Sequence, residues 1–511
     1  MLEKHVIHPY NPFHLILHEP GEHLKLAPQS RSVLAQTAAS PIADTFGWDT
    51  VFAIRLPDLN NAIKTTGSSP KAFKEDLGGG YTIEGGFDTW RVSRGGDGRN
   101  LFLETPINSG TMMFNKVAVS LEGVSATVEI GLDFLPLQSE KVPPPSQSGS
   151  SHDLKPNLIS NNQEQAVASV VNVRRSSGEA LDAISKALIQ GALNSWFNKH
   201  LDQFDHTFSI VNLNLLADNE SFQWLKPSTS SYAYADGPDD HSSVFGVLST
   251  TEQRSIAELD HSISPAAFQE GMGAGFLINS RLFLRESVLK GLPKAFAGAS
   301  ESDFQMTNSH SEIIKNPHAT VKLNPVTYNS VDYQPILNSF NLSLADTEIV
   351  IKMQLKVNVF PGVDSIIDTT YYYTLELVDK PDGRQTLGFK QTRKPEIVPT
   401  KHVAPEVKVT FILLEIIGGL VGLLTGGAED IVEFIITGVI VAVIVGVIEG
   451  IELLITDVLT NGVANAMPAI NPMIFAATDP ISWPTQQSKF TLTSVRLNGA
   501  IQLGGNLNFA S

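Results

Sequence analysis

Residues 409–459 read VTFILLEIIGGLVGLLTGGAEDIVEFIITGVIVAVIVGVIEGIELLITDVL. This strip consists almost entirely of Ile, Leu, Val and Gly, its only charged residues are acidic, and no Lys or Arg occurs between Val409 and Ser488. So apolar a stretch must be buried within the protein, line an apolar cavity or enter a membrane. The choice among these three states largely determines what the protein does.

The most apolar uncharged run of the strip is too short for an ordinary transmembrane helix. Phe434–Ile448 lies between Glu433 and Glu449, and as a helix it would span about 22 Å, against about 30 Å for the hydrocarbon core of a bilayer. No flanking positive charge supplies an orientation signal. A constitutive transmembrane helix is therefore disfavoured. Because acidic flanks lose their charge at low pH, insertion on acidification is kept as an alternative hypothesis.

Two interpretations of the strip are favoured, and they are compatible. In the first, a helix of mediocre propensity is held together by burial on all sides, and its glycines allow close approach of neighbouring elements. In the second, one face of the helix lines a groove that takes up acyl chains. The predicted lipid-contacting residues are spaced by four and form one stripe, although plain core packing is the simpler role for each: Ile435, Val439, Val443 and Val447.

Composition narrows the class of protein. The net charge of −17, without clustered Lys and Arg, argues against nucleic-acid binding. The absence of cysteine excludes disulfides, thiol catalysis and Cys-bound zinc. The N-terminus lacks the continuous apolar core of a signal peptide, so a soluble protein that is cytoplasmic or released without a classical signal is predicted, with membrane association as an addition.

No catalytic site, metal site or cofactor is predicted. The chain lacks a Gly-x-Ser-x-Gly elbow, a His-Glu-x-x-His pair and a phosphate-binding Gly-Lys-Ser/Thr loop. His14 and His18 have ligand spacing, but nearby prolines leave little room for a helix. The acidic loop from Asp236 to His241 lacks the alternation of a calcium loop and is more typical of a solvated turn. We therefore expect a non-enzymatic protein.

Hydrophobic periodicity predicts an α+β fold with antiparallel strands. Helices are predicted at 56–63, 179–201 and 276–289. Alternating segments predict strands that include 221–226, 242–250, 348–360 and 369–378, and a closing hairpin is predicted over 488–509. A chain of this length also predicts more than one core. Five parts are predicted: an irregular N-terminal extension at 1–43, a first β-rich part at 44–142, a Pro/Ser linker or excursion at 143–160, a central helix-plus-sheet part at 161–400, and a hydrophobic helical segment with the closing hairpin at 401–511.

Four ordered blocks of sequence resemble a known family. They are FGWDTVFAIRLPDLNNAI (46–63), GGFDTWRVSRGG (85–96), GFLINSRLFLRESVLKGLP (275–293) and ISWPTQQSKFTLTSVRLNGAIQLGGN (481–506). Together they resemble the clostridial accessory proteins encoded beside botulinum-type neurotoxins, a group made up of the OrfX-type proteins and their forty-seven-kilodalton relative. The likeness runs from about Asp44 to Asn506, and it is greatest to the forty-seven-kilodalton relative.

The resemblance implies a fold and a function. It implies the TULIP architecture, in which long helices are wrapped by strongly curved antiparallel sheets in an elongated molecule. It also implies a non-enzymatic role with lipids, phosphoinositides among them, and with a toxin or sister accessory proteins. Trp48 and Trp90 are then expected to be core aromatics, and Gly85 and Gly86 tight-bend positions. The alternatives are an assembly protein without lipid and a component that inserts into membranes conditionally.

Overall fold

The computed structural model describes residues 41–136, 151–156, 168–176, 178, 180–212, 220–296, 298–407, 411–445, 451–483 and 490–507. Met1–Pro41 and Ile42–Ser511 are separate units, and the helices and strands of the described residues belong to the second. The predicted histidine pair His14 and His18 lies outside the described residues, as does most of the predicted linker.

Antiparallel sheets dominate the described part of the chain, with strands numbered in chain order. The six-stranded sheet has the order β12 (Thr229–Ala235), β13 (Val244–Thr250), β1 (Thr50–Arg55), β14 (Ala274–Ile278), β27 (Ala500–Leu507), β26 (Phe490–Asn498). The seven-stranded sheet has the order β10 (Ala168–Arg175), β7 (Val124–Ile130), β5 (Asn100–Phe114), β3 (Tyr81–Phe87), β2 (Ala72–Gly78), with β4 (Arg91–Asp97) and β6 (Val117–Ser120) also paired to β5.

Three further sheets complete the β structure of the described residues. The eight-stranded sheet has the order β15 (Phe304–Met306), β16 (Glu312–Lys315), β20 (Pro335–Ala345), β21 (Glu348–Phe360), β22 (Val363–Asp379), β23 (Gln385–Gln391), with β17 (Val321–Lys322) on β20 and β24 (Glu396–Val403) on β22. The four-stranded sheet has the order β25 (Ile481–Ser482), β11 (Ser209–Asn212), β9 (Ser151–Pro156), β8 (Leu132–Pro136), and the two-stranded sheet joins β18 (Val326–Tyr328) to β19 (Val331–Tyr333).

The helices lie between and after these strands. The α-helices are α1 (Leu56–Thr66), α2 (Ala183–His200), α3 (Ser280–Phe283), α4 (Leu289–Gly291), α5 (Phe411–Val445), α6 (Ile451–Asn461), α7 (Val463–Ala466) and α8 (Asn471–Thr478). A π-turn at Leu284–Val288 joins α3 to α4, and 3₁₀ turns occur at Leu201–Gln203, Glu220–Leu225, Pro265–Ala267, Leu292–Ala295 and Glu301–Asp303. The predicted mixed α+β class with antiparallel sheets is confirmed.

Local chemistry explains where the first two helices begin and end. Helix α1 has proline in its first turn and ends at Gly67, whose φ of 61° suits a residue without a side chain. Helix α2 begins after Asp182, whose carboxylate accepts a 2.8 Å hydrogen bond from the backbone N–H of Ser185. Both helices agree with the sequence prediction to within a few residues.

One predicted helix is wrong at its start, and one predicted strand is wrong throughout. The helix expected at 276–289 begins instead as strand β14, which lies between β1 and β27 and is buried along its whole length. The helical part starts after Asn279, whose side chain accepts a 2.8 Å bond from the N–H of Arg281. The strand expected at 221–226 is the 3₁₀ turn Glu220–Leu225, and it buries Phe222 and Leu225.

The expected fold determinants take defined positions. Trp48 and Trp90 are each 0% exposed, so both are core aromatics as predicted. Gly85 stands opposite Gly110 in the β3–β5 ladder, and the register of that ladder shifts directly after Gly86. A Cβ atom on Gly85 would lie 3.0 Å from Gly110 Cα and would also overlap the Ser109 carbonyl oxygen. Close backbone approach therefore requires glycine at position 85.

Strands from distant parts of the sequence share the same sheets. The six-stranded sheet combines β1 from the first predicted part, β12 to β14 from the central part and the closing hairpin β26–β27. Ser151–Pro156, within the predicted linker, is strand β9 and pairs with β8 and β11. The division into five parts stays a prediction.

Candidate functional site

Helix α5 carries the apolar strip and changes character along its 35 residues. In its first half, Ile417, Leu420, Leu424 and Ala428 are buried at spacings of three and four. This is the pattern of a helix with one face on a core. From Ile435 to Ile444 every residue is buried. The helix therefore runs from a half-covered position into one enclosed on all sides.

The predicted lipid-contacting stripe lies in the enclosed half. Ile435, Val439 and Val443 are 1%, 3% and 1% exposed, and all three belong to the same hydrophobic cluster as strands β21 to β23. Val447 lies outside the described residues. The three described side chains share one side of α5, because residues four apart are neighbours on a helix surface. Their burial is compatible both with core packing and with the wall of a groove.

Some glycines of the strip provide close contacts and others do not. A Cβ atom at Gly438 would lie 3.2 Å from Ile455 Cδ1 of α6, and one at Gly291 of α4 would lie 3.3 Å from Ala442 Cβ. Small residues therefore bring α4 and α6 close to the enclosed half of α5. Four glycines in the first half have nothing within 4 Å of a built Cβ, so the expectation of close approach is wrong for them: Gly418, Gly422, Gly426 and Gly427.

The enclosed half contains one polar side chain without a partner. Thr437 is 0% exposed, and its hydroxyl has no hydrogen-bond partner among the described residues. An unpaired buried hydroxyl costs free energy. Its position marks a point where a water molecule or a polar ligand atom would be stabilised.

Acidic residues line the exposed side of α5. Glu415, Glu429 and Glu433 are exposed, and within the described ranges none of them forms an ion pair. Burial raises the pKa of Tyr373 on β22 to about 12, and the carboxylates of Glu433 and Glu429 contribute in the same direction. The helix thus presents negative charge to solvent while its opposite side is apolar.

A small hairpin that the sequence analysis did not identify covers part of the first half of α5. Strands β18 and β19 are joined by Asn329 and Ser330, which have φ of 51° and 62°. The Tyr328 ring lies directly over Gly419, where any Cβ atom would overlap it. The signal was available in VTYNSVDY, in which apolar and polar residues alternate around a two-residue turn.

Other predicted features of the surface are also placed by the structure. In the acidic loop, the Asp239 carboxylate accepts 2.8 Å bonds from the backbone N–H and the hydroxyl of Ser242, as in an ordinary turn. In the part of the chain that the structure describes, no group of three His, Asp or Glu side chains is arranged to hold a metal ion. Within the same ranges, no helix combines the length and the apolar character that crossing a membrane requires.

The chain is similar to proteins of one family over most of its length. A protein-family model described as "OrfX-like: Protein OrfX2/OrfX3/P47" matches residues 45–505. Protein OrfX3 of Paraclostridium bifermentans is 28% identical, covering 91% of this chain and 98% of that protein. Protein P47 of Clostridium botulinum strain Kyoto / Type A2 is 24% identical, covering 48% of this chain and 56% of that protein.

Comparison with solved structures agrees with this assignment at the level of fold. The structure of P47 from Clostridium botulinum A2 superposes with a TM-score of 0.61 at 19% identity, covering 91% of this chain and 98% of that one. In sequence, P47 matches less of this chain than OrfX3 does, whereas the sequence blocks predicted the greater likeness to the forty-seven-kilodalton relative. The predicted family resemblance is confirmed from the first block to the last. The chain belongs to the OrfX-like family.

Proposed function

We propose that this chain is a non-enzymatic, TULIP-type lipid-binding accessory protein of a bacterial toxin system, and that it holds lipid in an apolar groove along α5. The proposal rests on the burial of α5, which is covered on one side over its first half and enclosed from Ile435 to Ile444. Apolar surface on this helix thus continues from solvent into the interior. An acyl chain is the ligand whose chemistry matches such a path.

Exposed leucines in the first half of α5 support this path. Leu414 and Leu423 are 43% and 44% exposed, on a helix that carries no basic residue. A lipid with a long apolar tail would cover such side chains and extend towards Ile435, Val439 and Val443.

The lipid headgroup and the protein partners follow from the family resemblance and are part of the proposal. Phosphoinositides are included among the lipids, although the net charge of −17 requires a local group of cations for such a headgroup. The protein partners proposed are a toxin or sister accessory proteins.

A second candidate function is protein assembly without lipid. It is favoured by Leu453 of α6, which is 78% exposed, and by Leu459, which is 37% exposed. Large apolar side chains in solvent are typical of surfaces that a partner covers, when they occur together. The two candidates differ in whether the isolated protein takes up lipid.

Titration with a fluorescent fatty acid tests the proposal directly. The proposed groove predicts saturable binding by protein that was purified without detergent. Binding that rises linearly without saturation, or none at all, would favour the assembly role.

A further inference from the structure

We infer that the hairpin Val326–Tyr333, which we call the strap, is a gate that controls the access of an acyl chain to α5. This inference rests on the proposed lipid-binding function, since it assigns the entrance to that groove. The observations that carry it are the composition of the strap, its isolation from the other sheets and the way Tyr328 sits on Gly419.

The strap is amphipathic. Val326 pairs with Tyr333, and Tyr328 pairs with Val331, so these four side chains lie on one face of the hairpin. The pair between them, Thr327 and Asp332, lies on the other face, where the threonine hydroxyl donates a 2.6 Å bond to the carboxylate. Val326, Tyr328 and Tyr333 pack against the main hydrophobic cluster. The strap therefore turns three of its four apolar side chains to the core beside α5, leaves Val331 exposed and turns its polar pair to solvent.

The strap forms its own two-stranded sheet and adds no strand to the eight-stranded one. An isolated two-stranded hairpin is at best marginally stable in water. Its order consequently depends on packing against α5 and the neighbouring core. Segments of this kind open locally at much lower free energy than the sheet beside them.

The base of the strap is fixed, which allows the hairpin to open without detaching. The backbone N–H of Leu323 donates a 3.0 Å bond to the carbonyl of Pro335, and the side-chain amide of Gln334 also donates to the Leu323 carbonyl. Pro335 begins β20 of the eight-stranded sheet. Motion of the strap is therefore a rotation about this base.

The contact that holds the strap closed is a ring placed on a glycine. Any side chain at Gly419 would overlap the Tyr328 ring, so replacement of this glycine forces the ring to move from its position on α5. The same is not true of Gly418 and Gly422, since a Cβ atom at either position meets nothing within 4 Å. These two glycines provide matched controls on the same helix.

Opening of the strap uncovers the route to the enclosed half of α5. Ile416 and Leu420 lie one turn or less from Gly419, and Leu420 is 0% exposed in the closed state. Val331, which pairs with Tyr328 in the strap, is 51% exposed, and Leu423, one turn after Gly419 on α5, is 44% exposed, so both elements carry exposed apolar side chains near this contact. A lipid tail that meets this surface would follow the buried face of α5 through Leu424 towards Ile435.

Hydrogen exchange followed by mass spectrometry tests the gate without lipid. Gly419→Ala should speed the exchange of the 326–333 amides by about tenfold or more, equivalent to about 1.4 kcal/mol of lost closure. Gly418→Ala and Gly422→Ala should leave those amides unchanged, although each adds the same methyl group to the same helix. Equal exchange in Gly419→Ala and the two controls would overturn the inference.

A reversible cross-link tests the role of the gate in uptake. The chain has no cysteine, so Val331→Cys with Leu423→Cys supplies the only two thiols for a flexible, reducible bismaleimide. Tyr328 and Gly419 are unchanged in this variant. The cross-linked protein should take up a fluorescent fatty acid about tenfold more slowly or worse than the same variant blocked with a monofunctional maleimide. Reduction of the linker should restore the rate.

Failure of the proposed lipid-binding function and failure of the gate give different results. If the blocked variant binds no fatty acid but Gly419→Ala still frees the strap in hydrogen exchange, the proposed lipid function fails. If the blocked variant binds fatty acid and the cross-link changes the rate less than twofold, the gate is wrong while lipid binding stands.

Discussion

The Nδ1 atom of His206 lies 2.8 Å from the hydroxyl oxygen of Ser68 and ties the end of α1 to the segment that follows α2. His206 is 1% exposed, and its other ring nitrogen, Nε2, is buried without a hydrogen-bond partner among the described residues. Its ring packs between Phe204 and Phe208. A charged imidazolium carries an N–H on each ring nitrogen and needs a hydrogen-bond acceptor for both. Among the described residues, this site provides a partner for Nδ1 and none for Nε2.

The protein should lose stability at mildly acidic pH because of His206. Burial lowers the pKa of His206 from its usual 6.5 to about 4. Well above pH 6.5 neither the folded nor the unfolded state is protonated there, so the group has almost no effect. As the pH falls from 6.5 to 4, the unfolded state binds the proton and the folded state does not, and the free energy of unfolding decreases by about 2 kcal/mol at pH 5.

Urea denaturation at pH 7.5 and pH 5 measures this effect. His206→Gln removes the titrating group, so its free energy of unfolding should fall by about 2 kcal/mol less between the two pH values than that of the wild type. The comparison uses the change with pH, which is independent of any constant loss caused by the substitution. Equal losses in the two proteins would show that His206 is not the group responsible.

Gly85→Ala should destabilise the seven-stranded sheet. A Cβ atom there would meet the backbone of β5 and would lie 2.7 Å from the Phe73 ring, so we expect a loss of roughly 1–3 kcal/mol from overpacking. Gly191→Ala on the exposed side of α2 meets nothing within 4 Å and should instead stabilise the protein by about 1 kcal/mol through helix propensity. Denaturant unfolding of both variants gives the comparison, and changes of the same sign would contradict the close approach of β3 and β5.

Thr437→Val should stabilise the isolated protein. The two side chains have nearly the same shape, and the change removes a buried hydroxyl that has no partner among the described residues, so we expect a gain of about 1 kcal/mol in the free energy of unfolding. A loss of stability in lipid-free protein would instead mean that an ordered water molecule or another group satisfies this hydroxyl.

Val443→Asp should abolish lipid uptake if the stripe on α5 lines the groove. Val443 is 1% exposed, and a carboxylate in an apolar channel is incompatible with an acyl chain beside it. Because this charge also threatens folding, Val443→Phe provides a second variant that fills the same space without charge. Leu453→Asp on α6, at a position that is 78% exposed, is the surface control and should bind normally. Normal uptake by folded Val443→Asp and Val443→Phe would show that Val443 does not line the groove.

Much of the β structure was predictable because its periodicity is local. Strand β21 has the predicted bounds, Glu348–Phe360, and the closing hairpin β26–β27 was also predicted. In these segments apolar and polar residues alternate between recognisable turns. Strand β14 was missed because all of Ala274–Ile278 is buried, and a continuous apolar run does not distinguish a buried strand from a helix.

The candidate site was predictable only in part. Spacing by four identified Ile435, Val439 and Val443 as one side of a helix, and all three lie together on α5. The hairpin of the strap has a local signal in its sequence, but its position on α5 was not predictable, because it depends on a contact between Tyr328 and Gly419, which are far apart in sequence. Whether the stripe faces packed side chains or a lipid depends on the space between elements, and sequence periodicity carries no measure of that space.

Native mass spectrometry with lipid extraction, on protein purified without detergent, tests the central claim most directly. The lipid-binding account predicts a mass above that of the 55.3 kDa chain by that of one or more lipids, in stoichiometric amount, with the lipid recovered by extraction and lost in Val443→Phe. A protein that remains at the mass of the bare chain, and that stays so after incubation with lipid vesicles, would contradict the account and favour assembly with a protein partner.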